Sequence, residues 1–124
     1  MKLHREQNIG QNLITACGTD HIDINGLRHK TSLLVLPRQL HEGWGKAGYP
    51  ALTPQDFHCI IELGCDLLLF GTGRQQRFPP PALLRDLMAA RIGVEIMDTA
   101  AACRTFNILV TEGRNVAAAL LIES

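Results

Sequence analysis

The chain reads as an α/β protein with a mixed, mostly parallel central sheet, an N-terminal β-hairpin and about three helices, and three observations predict that class. The first third holds short β-prone runs on either side of an Asn25-Gly26 turn. From Thr53 onward, amphipathic segments of helical period alternate with continuous apolar runs of strand length, the pattern of crossovers that builds a largely parallel sheet. The 124 residues suffice for one core but not for two. Residues 1–124 are therefore expected to form a single domain, with its core at about 13–122.

Leu13-Ile14-Thr15-Ala16-Cys17 is a β-prone run closed by Gly18. His21-Ile22-Asp23-Ile24 alternates polar and apolar residues, Asn25-Gly26 is the dipeptide of a type I′ turn, and Leu27 to Lys30 is the return strand. Ser32-Leu33-Leu34-Val35-Leu36 is apolar on both faces, which predicts a strand in a sheet centre that ends at Pro37. Residues 38–52 gather Gly43, Gly45, Gly48 and Pro50 around Trp44 and Tyr49, a loop composition.

Thr53-Pro54-Gln55-Asp56 opens a helix for physical reasons. The Thr53 hydroxyl caps free N–H groups, proline fits the first helical position, and Asp56 faces the positive end of the dipole. Phe57, Ile60 and Ile61 share one face, and Gly64 stops the helix. Leu67 to Phe70 is a strand. A helix follows Pro79-Pro80-Pro81, with Leu83, Leu84, Leu87 and Met88 facing inward, and ends near Gly93. Val94 to Met97 is the next strand. Asp98 or Thr99 caps a third helix whose inward stripe is Ala102, Cys103, Phe106, Leu109 and Val110. Glu112-Gly113-Arg114 then turns the chain into a last strand, Val116 to Ile122.

Composition excludes several function classes. Twelve basic and twelve acidic side chains cancel, so bulk electrostatic grip on nucleic acid is not expected. A chain of this length needs no disulfide or metal to fold. Met1 to Asn8 is charged with no apolar stretch behind it, unlike a signal peptide. The longest apolar run, Val116 to Ile122, is far short of the ~20 residues that span a bilayer. A cytoplasmic protein without a membrane span is expected. Cys17, Cys59, Cys65 and Cys103 contain no C-x-x-C pair and read as free, buried or half-buried thiols. His4, His21, His29, His41 and His58 show no i, i+4 pairing, so neither a metal nor a cofactor is predicted.

Ligands of open parallel sheets gather beyond the carboxyl ends of the strands. Two such edges are legible here. At the first, Gly71-Thr72-Gly73 is either an anion cradle or a turn needing positive φ. A dinucleotide fingerprint would need glycine where Gln76 stands, and no phosphate-loop triplet occurs. At the second, Asp98 and Thr99 lead to Cys103 and Arg104. Cys103 lies near a helix N-terminus beside an arginine, which favours a thiolate, but on the apolar stripe, which favours a core thiol. Asp98 reads first as a helix cap. Arg104, Asn107, Thr111 and Arg114 fall along one side of the last helix and its exit, as a solvated face or as a stripe for an anion or a partner. Of the twelve cations nine are arginines, and no lysine follows Lys46. Arginine's planar fork suits local, directional pairing.

Gly71-Thr72-Gly73, Phe78-Pro79, Gly93-Val94-Glu95, the run from Met97 to Asn107, Glu112-Gly113-Arg114 and Ala117 to Leu121 together resemble the Mth-domain family. Trp44 and Leu52 to Asp56 fit the same pattern, so the resemblance covers about residues 13–122. That family includes mitochondrial assembly factors of respiratory complex I and small bacterial proteins; with no transit peptide, this chain resembles the bacterial members. The resemblance implies a three-layer α/β fold and no established reaction. It points to a non-enzymatic factor acting through a protein partner. The alternative is a small-molecule or anion-binding domain, or an enzyme, with a site at the Gly71–Gly73 and Asp98–Arg104 strand ends. Its candidate binding residues are Gly71, Thr72, Gly73, Asp98, Thr99, Cys103, Arg104, Asn107 and Arg114.

Overall fold

The computed structural model describes residues 10–123. Met1 to Asn8, read above for export signals, and His4 among the histidines lie outside the described residues. The first three strands, β1 (Ile14–Cys17), β2 (Ile22–Ile24) and β3 (Leu27–His29), form a small antiparallel sheet of their own. Asn25 and Gly26 both take positive φ, 52° and 83°, as the type I′ turn requires.

The central sheet has five strands in the order β5-β4-β8-β6-β7, made of β4 (Leu33–Leu36), β5 (Gln39–Glu42), β6 (Leu67–Gly71), β7 (Gly93–Met97) and β8 (Val116–Leu120). It is mixed. β6 pairs in parallel with β7 and β8, whereas β4 pairs antiparallel with β8 and β5, so the parallel share is half of the pairings. The extra antiparallel pairing comes from β5, which the sequence suggests is loop. Gln39-Leu40-His41-Glu42 has no β-branched residue and no apolar run, because it is an exposed edge strand held by backbone pairing to β4.

Three helices cover this sheet: α1 (Pro54–Ile61), α2 (Pro81–Ala89) and α3 (Thr99–Thr111). A short 3-10 turn, Tyr49–Ala51, interrupts the glycine-rich loop. α1 starts with a capping box in which the Thr53 N–H donates to Asp56 Oδ2 at 2.8 Å and the Asp56 N–H donates back to Thr53 Oγ1. The α2 stripe is centred between Leu84 and Leu87, both buried; Met88, expected on it, lies at its rim and is exposed.

Strict alternation divides the core between the two sheet faces. Leu34, Leu36, Leu68, Phe70, Ala117 and Ala119 point toward α1 and α2. There Trp44 stands edge-on to Phe57 and Phe70, Tyr49 stacks on Phe70 at 6.4 Å, and Trp44 Nε1 donates to Asp56 O. Leu33, Val35, Leu69, Val116, Ala118 and Leu120 point the other way, toward α3 and the small sheet, joining Ala102, Cys103, Phe106 and Val110. The result is three layers, with helices on one side and a helix plus a small sheet on the other.

This arrangement also places a switch in strand order. β6 reaches β7 through α2 on one face, and β7 reaches β8 through α3 on the opposite face. β8 and β7 therefore flank β6 on its two sides, and the chain parts to either side beyond its carboxyl end. Such points leave a crevice.

Candidate functional site

The crevice is framed by one buried hydroxyl. Thr99, the first residue of α3, accepts from the Gly73 N–H at 2.9 Å and donates to Leu121 O at 2.7 Å. Its own N–H donates to Gly73 O at 2.8 Å. One side chain thus ties the exits of β6, β7 and β8 together. Gly71 is glycine because a Cβ there would stand 2.9 Å from the Thr99 Cα, closer than the start of α3 permits. Gly73 adopts φ +109°, which favours glycine, and a Cβ would meet the Glu123 carboxylate.

Thr72 is buried and organises its own loop. Its Oγ1 donates to Gln75 O at 2.7 Å and accepts from the Arg77 N–H at 2.9 Å. Arg77 then extends Nη1 to Glu123 Oε2 at 2.6 Å and lies over the Tyr49 ring, 5.1 Å from its centroid. Glu123 Oε1 accepts from the Arg74 N–H. The next residue, Phe78, is 79% exposed, followed by a buried Pro79. An aromatic ring therefore stands in water on a loop that is braced from below.

Along α3 the polar residues are largely spent on structure. Asp98 is the cap, its Oδ1 accepting from the Ala101 N–H at 2.8 Å. Asn107 grips the backbone of Ile14 on both sides: its Oδ1 accepts from the Ile14 N–H at 2.8 Å and its Nδ2 donates to Ile14 O at 2.7 Å. The small sheet is pinned to α3 by that amide. Cys103 is buried, and burial first, then the neighbouring Cys17 thiol, push its pKa far above the ordinary thiol range; the Arg104 charge offsets this only in part. Cys103 is therefore protonated at neutral pH, the core-thiol reading.

The candidate residues separate into distinct places. A cavity of about 360 Å³ lies beyond the ends of β6, β7 and β8, with Gly73, Thr99, Ala100, Leu121 and Glu123 in its walls and Cys17 and Ile22 of the small sheet across it. Its lining is mostly apolar. A second cavity, about 270 Å³, lies between β1 and α3 and includes Cys17, Cys103, Arg104 and Asn107. Arg114 precedes β8 at the amino end of the strands, beside Arg38 and Gly113, and does not join Thr99 or Arg104. Gly71, Thr72 and Asp98 serve the backbone around the crevice. Arg77 and Glu123 carry no signal in the sequence, and Phe78 and Cys17 are not among its candidate binding residues. Arg77 and Glu123 meet across 46 residues, a separation that no local pattern signals. Among the described residues no group of three or more His, Cys, Asp or Glu is placed to hold a metal ion.

A family model described as "Protein of unknown function (DUF498/DUF598)" matches residues 14–121. The chain belongs to this family. Within reach of the DUF498 family stands the NADH dehydrogenase [ubiquinone] 1 alpha subcomplex assembly factor 3 of Bos taurus, 33% identical over 100 residues, which are 79% of this chain and 54% of that protein. The chain thus spans about half the length of that relative. A protein from Bordetella parapertussis has a crystal structure that superposes with a TM-score of 0.85 at 36% identity, covering 92% of this chain and 98% of the other. A Mth938-like domain from Bordetella pertussis gives a TM-score of 0.70 at 30% identity over 92% and 87% of the two chains. The Mth-domain resemblance read from Gly71–Gly73 and Asp98–Arg114 is the same family. No helix among the described residues is long and apolar enough to cross a membrane.

Proposed function

We propose that this DUF498 domain is a non-enzymatic protein-interaction module of assembly type. Phe78 carries the reading. It is an exposed aromatic on a loop held by the Thr72 hydroxyl and the Arg77–Glu123 pair, so docking it would cost little conformational entropy. The similarity to a complex I assembly factor supports the same reading, as does the commitment of Thr72, Asp98, Thr99 and Asn107 to internal bonds. The test is tagged purification from the native host at native expression, comparing wild type with Phe78→Ser. Wild type is expected to recover the same protein repeatedly and the variant at least ~10-fold less, with an unchanged melting temperature. Equal recovery from both would refute it.

The crevice favours a second reading, a small-molecule site. Its position beyond the parallel strands and its apolar walls suit a compact, mostly apolar ligand. A ligand of that class would raise the melting temperature in a metabolite screen. Absence of any stabilisation across such a screen would count against it.

A further inference from the structure

Cys17 and Cys103 are 86 residues apart in sequence, yet three observations bring them together. Asn107 clamps Ile14 to α3, and Cys103 lies one helical turn before Asn107 on the same face, as Cys17 lies further along the same strand as Ile14. Both cysteines line the cavity between β1 and α3. The neighbouring Cys17 thiol adds to burial in holding the proton on Cys103. Their exposure differs: Cys17 is exposed and reachable by a dissolved reagent, whereas Cys103 is buried behind it.

We infer that Cys17 and Cys103 form a peroxide-responsive dithiol, with Cys17 the attacking thiol and Cys103 the resolving one. The chemistry balances with hydrogen peroxide as oxidant. The Cys17 sulfur attacks one peroxide oxygen, the O–O bond breaks, and the thiol proton leaves with the departing oxygen as water. Cys17 is then a sulfenic acid. The Cys103 sulfur attacks the Cys17 sulfur, the S–O bond breaks, and the departing hydroxide takes the Cys103 proton as a second water. Two thiols are oxidised to one disulfide and one peroxide is reduced to two waters. Access sets the order: peroxide meets the exposed Cys17 first, and the buried Cys103, whose proton is tightly held, attacks more slowly as that proton passes to the departing hydroxide.

The consequence is structural. The new bond would join β1 to α3 beside the Asn107 clamp. Cys17 also lies in the wall of the crevice beyond β6, so oxidation would fix that wall. A transient bond of this kind is compatible with a reducing compartment. The inference does not depend on a partner docking at Phe78.

The test treats the fully reduced chain with stoichiometric hydrogen peroxide and maps its peptides without reduction. The expected product is monomeric, lighter by two hydrogens, with a Cys17–Cys103 peptide that dithiothreitol reverses. In Cys103→Ala and in Cys103→Ser, dimedone-trapped sulfenic acid on Cys17 should rise several-fold over wild type, because its resolving partner is gone. Two core variants are used so that a folding defect in one does not decide the outcome. Sulfinic acid on Cys17 beside an unmodified Cys103 in wild type would overturn the inference. A different pairing, a link between chains, or no consumption of Cys17 would overturn it equally.

Discussion

The two ends of the parallel strands are built in different ways. At the amino end, closure is mostly backbone: the Asp66 N–H donates to Asn115 O, the Gly93 N–H to Asp66 O, and the Arg114 N–H to Leu109 O. At the carboxyl end, backbone bonds close the strands as well (Thr72 N–H to Met97 O, Leu121 N–H to Gly71 O), and side chains add a second set on top of them. Thr99 brackets three strand exits, Thr72 folds its loop, Asp98 caps α3, and Arg77 reaches Glu123. The amino end also has a cavity, of about 290 Å³, between Arg38 and Arg114, but its closure draws on few side chains. What sets the carboxyl end apart is its side-chain bracing, beside a mostly apolar cavity, an exposed Phe78 and an exposed Cys17. An exposed aromatic, an exposed thiol and the braced loop thus share one end of one sheet.

The largest effect expected from this contrast is at Thr99. Thr99→Val keeps the shape and removes both bonds, stranding a buried N–H and a carbonyl, and should cost about 3 kcal/mol in urea unfolding. A loss below about 1 kcal/mol would mean that the bracket is ornamental. Asn107→Ala should cost about 2 kcal/mol and speed exchange of the Ile14 amide, since the small sheet loses its pin.

A smaller effect concerns alkaline pH. The folded Cys103 thiol holds its proton well above the ordinary thiol range. Below about pH 8.5 the thiol is protonated in both states and its contribution is intact. As pH rises further the unfolded chain loses that proton while the folded chain keeps it, so stability falls, by up to about 1.4 kcal/mol per pH unit. Cys103→Ala should flatten this slope between pH 9 and pH 10.5 by most of one proton's worth. An unchanged slope would contradict the buried, protonated thiol. The smallest effect belongs to the amino end, where Asn115→Ala removes an exposed bond to Gly64 O and should cost about 0.5 kcal/mol.

Much of the fold was legible because local chemistry and global structure agree. Thr53, Pro54 and Asp56 mark the start of α1, Asn25-Gly26 marks the hairpin, and Asp98 marks the start of α3. β5 was not legible, because an edge strand paired through backbone atoms needs no apolar signature. The candidate site was half legible. Gly71, Gly73 and Thr99 do meet at the strand ends, through a contact that the sequence shows only as glycines without a stated neighbour. Arg114 was drawn into the same group because it follows α3, yet a helix returns the chain to the opposite end of the sheet. Phe78 and Cys17 escaped for a different reason. Nothing in a residue's type tells whether a phenylalanine faces water or which thiol a cysteine touches.

The central claim is that the carboxyl end is the end that meets a partner. Site-specific photo-crosslinking in the native host tests it directly, with a benzophenone amino acid placed at Phe78 in one strain and at Arg114 in another. Both positions are exposed, and they lie at opposite ends of the strands. The account predicts a discrete adduct to one protein from position 78 and none from position 114. Equal crosslinking from both positions, or an adduct from position 114 alone, would contradict it.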